Sequence, residues 1–388
     1  TASAVDLGAA ETANCYVVTE PGVYTFKAVK GNSTAPLASI GSVEVLWESW
    51  GTTGEVTSKS VVSAVDFEKD QVYFRVAEGF HPGNAVIAAK NDMGVIMWSW
   101  HIWVPETPIT ENLYGISRKK SMDRNLGALV AASADGAAPE SAGLFYQWGR
   151  KDPFPASAAN GAAPATWWKY ENGGWTEKTS LESTSATGRR IMDAVKEPVL
   201  FHKVDKDYYP LPSAGELPST DFNRTYNIEN RCFGSFINPS CAESLWGYSS
   251  AAGFGKTSSK TMYDPCPPGY SVAYYLVWNN KYMSQDGGNL WGWGTVPEHV
   301  ESKGVMLNPE RYGNLFDSTW FPFSGYIDPN DAQYIGIGTQ GHFYSSTPGN
   351  NGARAFYYSQ DGTGQLFTIT DYTGVATSFA LPVRCQKD

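Results

Sequence analysis

Met122–Pro155, MDRNLGALVAASADGAAPESAGLFYQWGRKDPFP, is the stretch on which the reading of this chain turns. It opens on Asp123, Arg124 and Asn125, crosses a loop of small residues, and closes on Phe145, Tyr146 and Trp148 followed by Arg150, Lys151 and Asp152. Ionic side chains this close to aromatic ones can leave water only when every donor and acceptor finds a partner. Asp123, Arg124, Arg150 and Asp152 are therefore expected to be largely buried and paired, with Trp148 packed among them. Removing one partner would strand a buried charge, which costs about 3–5 kcal/mol. The stretch reads as scaffold, and a ligand site is expected on the loops that follow it.

Working outward, 388 residues exceed one ordinary domain, and two are expected. Upstream, from Cys15 to Val104, the dominant period is two. Tyr24 and Phe26 alternate with Thr25 and Lys27, and Trp98, Trp100 and Ile102 alternate with Ser99, His101 and Trp103. Such alternation, broken by turn clusters such as KGNSTAP and FHPGNA, describes half-buried antiparallel strands. A β-sandwich of about seven strands follows for residues 1–107, with a hairpin at Asp92–Gly94. PETPITEN, carrying Pro105 and Pro108, is the expected linker. Residues 108–388 then read as a loop-rich α+β domain. Its clearest helix is Gly188–Pro198, where Ile191, Met192 and Val195 fall at helical spacing and Pro198 ends the run.

Composition narrows the function. Aromatic residues reach 14%, with 14 Trp and 22 Tyr, while charged residues are only 18%, a β-leaning balance. A net charge of −10 argues against a phosphate backbone as partner, so no nucleic acid is expected. No run of about 18 apolar residues could span a membrane as a helix. The chain begins TASAVDLG without Met, the pattern of a trimmed form whose leader or upstream domain has been removed. The five cysteines form no CxxC pair and no zinc spacing, so disulfides are the better use. Cys232 and Cys241 could close a short loop, and Cys266 with Cys385 could tie the last segment back. Cys15, in the apolar run NCYVV, is then left over, to be read as a buried free thiol or, as an odd cysteine, as one that pairs between molecules.

Chemistry-bearing constellations are sparse. His81, His101, His202, His299 and His342 share no metal-ligand spacing and read as surface or structural residues. There is no GxSxG, HExxH, P-loop or dinucleotide fingerprint. Asp328, Asn330 and Asp331 in YIDPNDAQY lack the later bidentate Glu of a calcium loop and read as an Asx-type turn. No metal, cofactor or catalytic residue is expected. Two aromatic clusters remain: WWKYENGGW, with Trp167, Trp168, Tyr170 and Trp175, and NLWGWGT, with Trp291 and Trp293. Rings in Gly-rich loops are hard to bury and offer flat apolar faces to a sugar or a protein, against the plainer reading that they cap the core. These six are the expected ligand-binding residues.

Six motifs in order, MDRNLGA, GLFYQWGRKDPF, YDPCPPGY, WFPFSGY, HFYSSTP and LPVRC, resemble the major paralogous (Fib-succ-major) domain of Bacteroidetes surface proteins. They cover roughly residues 114–388. The upstream part, with NCYVV, VLWESWG and SWHIW, is similar to the β domain preceding it in fimbrillin-related and putative cell-adhesion proteins. The resemblance implies a C-type-lectin-like α+β fold, a bridge between Cys266 and Cys385, and a secreted protein of the outer membrane or fimbrium. It implies a non-enzymatic adhesin, of pilus-tip type, whose partners are a host or microbial glycan, a surface protein or other fimbrial subunits. The EPN-, QPD- and WND-like triplets of calcium-dependent lectins are absent, so calcium-dependent binding is not expected. LPVRCQKD stops three residues past Cys385, leaving no long strand to donate to a neighbour, which fits a capping position. The competing expectation is a polysaccharide-acting enzyme or its glycan-binding module. Paired acids in an aromatic cleft would favour it, with Asp205, Asp207, Asp328 and Asp331 as candidates.

Overall fold

The structure, a computed structural model, describes residues 3–50, 57–114, 119–132, 139–158, 164–185, 191–203, 245–247, 260–274, 300–301, 303–307, 317, 319–349, 352–360, 366–375 and 378–388. Strands dominate. Among the described residues, eight precede Pro105: β1 Val5–Asp6, β2 Cys15–Val17, β3 Gly22–Lys27, β4 Ser42–Trp50, β5 Ala64–Glu68, β6 Gln71–Val76, β7 Gly83–Lys90 and β8 Ile96–Val104. They divide between two sheets. The first runs β1-β3-β6-β5, and the second contains β4, β7, β8 and β2 side by side. Tyr16, Phe26, Val72, Phe74, Ile87, Trp98 and Trp100 fill the space between them. Gly94, at φ +75°, turns β7 into β8 where a hairpin was expected.

After these come β9 Glu111–Tyr114 and β10 Lys119–Met122, the short helix α1 Pro139–Ala142, and β11 Phe145–Gln147. Next are β12 Trp167–Glu171, β13 Gly174–Lys178, β14 Ser183–Ser185, the helix α2 Ile191–Lys196, and β15 Phe201–Lys203. The helix lies inside the expected Gly188–Pro198 segment and buries Ala194 and Val195. The remaining strands are β16 Tyr270–Val272, β17 Val300–Glu301, β18 Gly304–Leu307, β19 Thr319–Pro322, β20 Tyr326–Ile327 and β21 Tyr334–Ile335. They are followed by β22 Gln340–Gly349, β23 Gly352–Gln360, β24 Leu366–Val375, β25 Ala380–Pro382 and β26 Cys385–Lys387. These pair as β16-β26-β10-β9, β11-β25-β20-β21, β17-β18-β19 and the meander β22-β23-β24.

The second sheet is the centre of the molecule, because both its faces are covered. Along β7, Ala85, Ile87 and Ala89 face the sandwich core, while Val86 and Ala88 face a second core with Trp47, Trp103, Leu126, Trp148, Trp246 and Val383. A strand covered on both sides reads as a continuous apolar run, and AVIAA is one. The same doubling corrects the reading of β8. Its polar alternates, Ser99 and His101, were expected on a solvated face and are only 0% and 2% exposed. They meet residues from beyond 107: Lys151 and Asp152 at Ser99, and Gly127 through Asn84 at His101.

The Met122–Pro155 stretch supplies that second layer, and its charges are buried. Arg124 pairs with Asp123, Nε to Oδ1 at 2.7 Å and Nη2 to Oδ2 at 3.0 Å. Its other N–H groups donate to the carbonyls of Thr107, Pro108 and Leu129. Glu106 and Thr107 also donate their amides to Leu129 O, so the Pro-rich segment is strapped to the scaffold. Asp152, expected to be buried and paired, takes the adjacent lysine as a partner. Lys151 Nζ lies 2.7 Å from Asp152 Oδ1, while Arg150 donates to the carbonyls of Leu200 and Glu197 and lies over the Phe154 ring. Trp148, fully buried, donates Nε1 to Ser345 O at 3.0 Å and packs against Trp246.

A disulfide joins Cys266 to Cys385, anchoring the chain before β16 to β26. Cys15 is a buried free thiol, and burial pushes its ionisation far up. Cys232 and Cys241 lie outside the described residues.

Candidate functional site

The WWKYENGGW segment, expected as a loop, is a two-stranded ribbon. Its strands β12 and β13 pair from Trp167 opposite Lys178 to Glu171 opposite Gly174. Asn172 and Gly173 alone form the turn, at φ +52° and +79°. Two consecutive positive φ values define the turn whose twist matches that of the flanking strands, and Asn-Gly is its preferred sequence. The outer side of β12 then pairs with β4, Trp167 opposite Ser49 and Trp168 opposite Glu48. The sheet becomes β13-β12-β4-β7-β8-β2.

Alternation along β12 separates its two tryptophans. Trp167 turns to the second core, at 0% exposure, edge-on to Trp47 with ring centroids 6.1 Å apart. It is a packing residue, which removes it from the expected ligand-binding set. Trp168 and Tyr170 point to the other face. Trp168, half-buried, stacks on Trp50 at 6.5 Å and 24°. Tyr170 meets Trp175 across the strands at 5.5 Å. Both Trp168 and Trp175 lean on the rim of the sandwich core and keep part of their surface in solvent. Trp291 and Trp293 lie outside the described residues.

Charge fixes the ribbon. On the face opposite the aromatics, Lys169 and Lys178 each pair with both Glu171 and Glu182; Lys178 reaches Glu171 at 2.6 Å and Glu182 at 3.2 Å. The two lysines hold the Glu171 carboxyl down to about 2. Under Trp168, the buried Glu48 carboxylate accepts the amides of Lys59 at 2.7 Å and Val62 at 2.8 Å. Desolvation nonetheless pushes its ionisation up to about 7. Glu48 and Trp50 were not among the expected site residues, although VLWESW sets them two apart, the spacing that puts both on one face of a strand.

The other chemistry-bearing groups serve the frame. Ser99 Oγ lies 2.6 Å from Lys151 Nζ, a nucleophile–base spacing. Both are buried, and the same ammonium also donates to Ser99 O and Asp152. His101, His202 and His342 are buried, while His81 is exposed and His299 lies outside the described residues. Burial lowers His101 and His342 to about 3, so both are neutral imidazoles at ordinary pH. Asp328 accepts the Asn330 amide at 2.7 Å and Asp331 the Gln333 amide at 3.0 Å, two Asx turns as expected. Asp205 and Asp207 lie outside the described residues. Among the described residues no cluster of His, Cys, Asp or Glu is arranged to hold a metal, and no helix is long and apolar enough to cross a membrane.

Fold and ribbon together define a mainly β protein carrying an aromatic face at the edge of its central sheet. No protein-family model, no curated protein and no solved structure matches the chain.

Proposed function

We propose that this protein is a non-enzymatic surface adhesin that holds a glycan or a protein ligand against the aromatic face of the β12–β13 ribbon. The observation that carries the reading is the placement of Trp168, Tyr170 and Trp175 together on one half-exposed face, with Trp50 behind them. Flat rings with few rotatable bonds bind with little loss of side-chain entropy and suit the apolar face of a sugar ring. The Lys169–Glu171–Lys178–Glu182 ladder on the reverse side supplies the rigidity such a platform needs. The resemblance of six ordered motifs to Fib-succ-major surface domains supports placement on the outer membrane or a fimbrium, a C-type-lectin-like organisation after residue 108, and fimbrial subunits as further partners. The test is binding of the whole chain to arrayed glycans and surface proteins, with turnover of a polysaccharide panel followed in parallel. Saturable binding without turnover supports the reading, and turnover replaces it with an enzyme.

A further inference from the structure

We propose that the outer face of the first sheet carries a second recognition site, a cleft sized for one neutral sugar ring. It lies on β3, β5 and β6, and none of its residues belongs to the ribbon. A cavity of about 300 Å³ opens there, lined by Val23, Ala64, Asp66, Glu68, Tyr73 and Arg75 among others. By the share of liquid volume that one water occupies, that is room for about ten waters. It lies at the small end of ligand pockets and suits a single ring better than a chain of them.

Register explains how the lining converges. Arg75 lies between Val23 on β3 and Ala64 on β5, and Tyr73 lies opposite Asp66. With a period of two these side chains share the face turned away from the core, where Val72 and Phe74 are buried. The short side chains of Val23 and Ala64 leave space on either side of the guanidinium, and Asp66 stands diagonal to it, roughly 7–8 Å away at the strand level. Their polar atoms are mostly uncommitted. Among the described residues, Arg75 makes no side-chain hydrogen bond or ion pair, Asp66 accepts only the adjacent Phe67 amide, at 2.8 Å, and Glu68 pairs only with Lys69, both well exposed.

A sugar ring is the occupant whose chemistry fits. Its hydroxyls both donate and accept, matching a five-donor guanidinium beside acceptor carboxylates, and its apolar face suits Tyr73. Two carboxylates beside one guanidinium, on a chain of net charge −10, disfavour an anionic sugar.

The test is amide chemical-shift perturbation of the whole chain by methyl glycosides of neutral hexoses and N-acetylhexosamines, with an anionic sugar and a lysine-rich peptide as comparators. A neutral glycoside is expected to shift the amides of β5 and β6. Tyr73→Ala and Arg75→Gln each weaken the response by about tenfold or more, Tyr73→Phe retains it, and Trp168→Ala leaves it unchanged. Arg75 is exposed, so its replacement reports on the cleft even if Tyr73→Ala unfolds the protein. The proposal is overturned if no neutral glycoside shifts these amides, if the response survives both substitutions, or if the anionic sugar or the peptide binds in preference. Loss of the response in Trp168→Ala instead would assign the sugar to the ribbon and equally overturn the second site.

Discussion

Lys151 is fastened to Ser99: its ammonium donates to the Ser99 carbonyl at 2.8 Å and to the Ser99 hydroxyl at 2.6 Å. Both groups also reach Asp152 Oδ1, and the ammonium lies over the Trp98 ring. The Met122–Pro155 stretch is thereby pinned to β8 of the central sheet. Lys151→Ala leaves Asp152 buried without its cation and is expected to cost about 3–5 kcal/mol, read as a lower midpoint in urea unfolding. Ser99→Ala removes one shared hydroxyl and should cost about 1–3 kcal/mol. A change within experimental error in both variants would show that the lock contributes nothing to stability.

Arg124 gives a second test of the buried scaffold. Its contacts use the planar fork, two N–H groups toward Asp123 and others to three backbone carbonyls. An ammonium cannot reproduce that geometry. Arg124→Ala should lose about 3–5 kcal/mol, and Arg124→Lys should recover only a small part of it. Near-complete rescue by lysine in thermal unfolding would contradict the reading.

Acid should weaken the fold through its buried imidazoles. His101 and His342 ionise near 3 when folded and near 6.5 when unfolded, because burial disfavours the cation. A depressed folded value means that the unfolded chain takes up protons first. The stability these residues contribute is thus complete above pH 6.5 and lost as pH falls from 6.5 toward 3. His342 sits among the rings of Tyr326 and Tyr357, so His342→Phe keeps its shape while removing its titration. The variant should show a shallower fall of unfolding free energy across that window, and an unchanged slope would exclude His342 as a source.

One turn is strained and can be relaxed. Lys69 and Asp70 connect β5 to β6 with φ of +52° and +62°, the conformation that Asn-Gly adopts more readily. Lys69→Asn combined with Asp70→Gly should raise stability by about 1 kcal/mol, measured by thermal unfolding. A drop would mean that the exposed Lys69–Glu68 ion pair matters more than the backbone.

β12 and β8 differ in how far local sequence specifies their surroundings. The sandwich strands, the Asp92–Gly94 hairpin, α2 and the burial of Asp123, Arg124 and Asp152 follow from local rules of period, turn chemistry and charge satisfaction. The double covering of the central sheet does not, because Ser99 and His101 look like solvent-facing alternates until a partner from beyond residue 107 is known. WWKYENGGW misled for a different reason. Its glycines suggested a loop, although Asn172-Gly173 between alternating segments is itself a hairpin signal. Read that way, alternation alone would have split Trp167 from Trp168 and Tyr170. That β12 joins β4 is a long-range pairing that no local pattern encodes.

The most direct test of the account is binding to arrayed glycans and surface proteins by the parent chain and by Tyr170→Ala/Trp175→Ala, with thermal unfolding recorded for both. With Arg75→Gln present in every chain, so that the cleft on β5 and β6 does not contribute, a ligand bound by the parent is expected to be lost from the double variant while Trp167→Phe, a core substitution, still binds. Undiminished binding by a folded double variant would contradict recognition through the aromatic face of the ribbon.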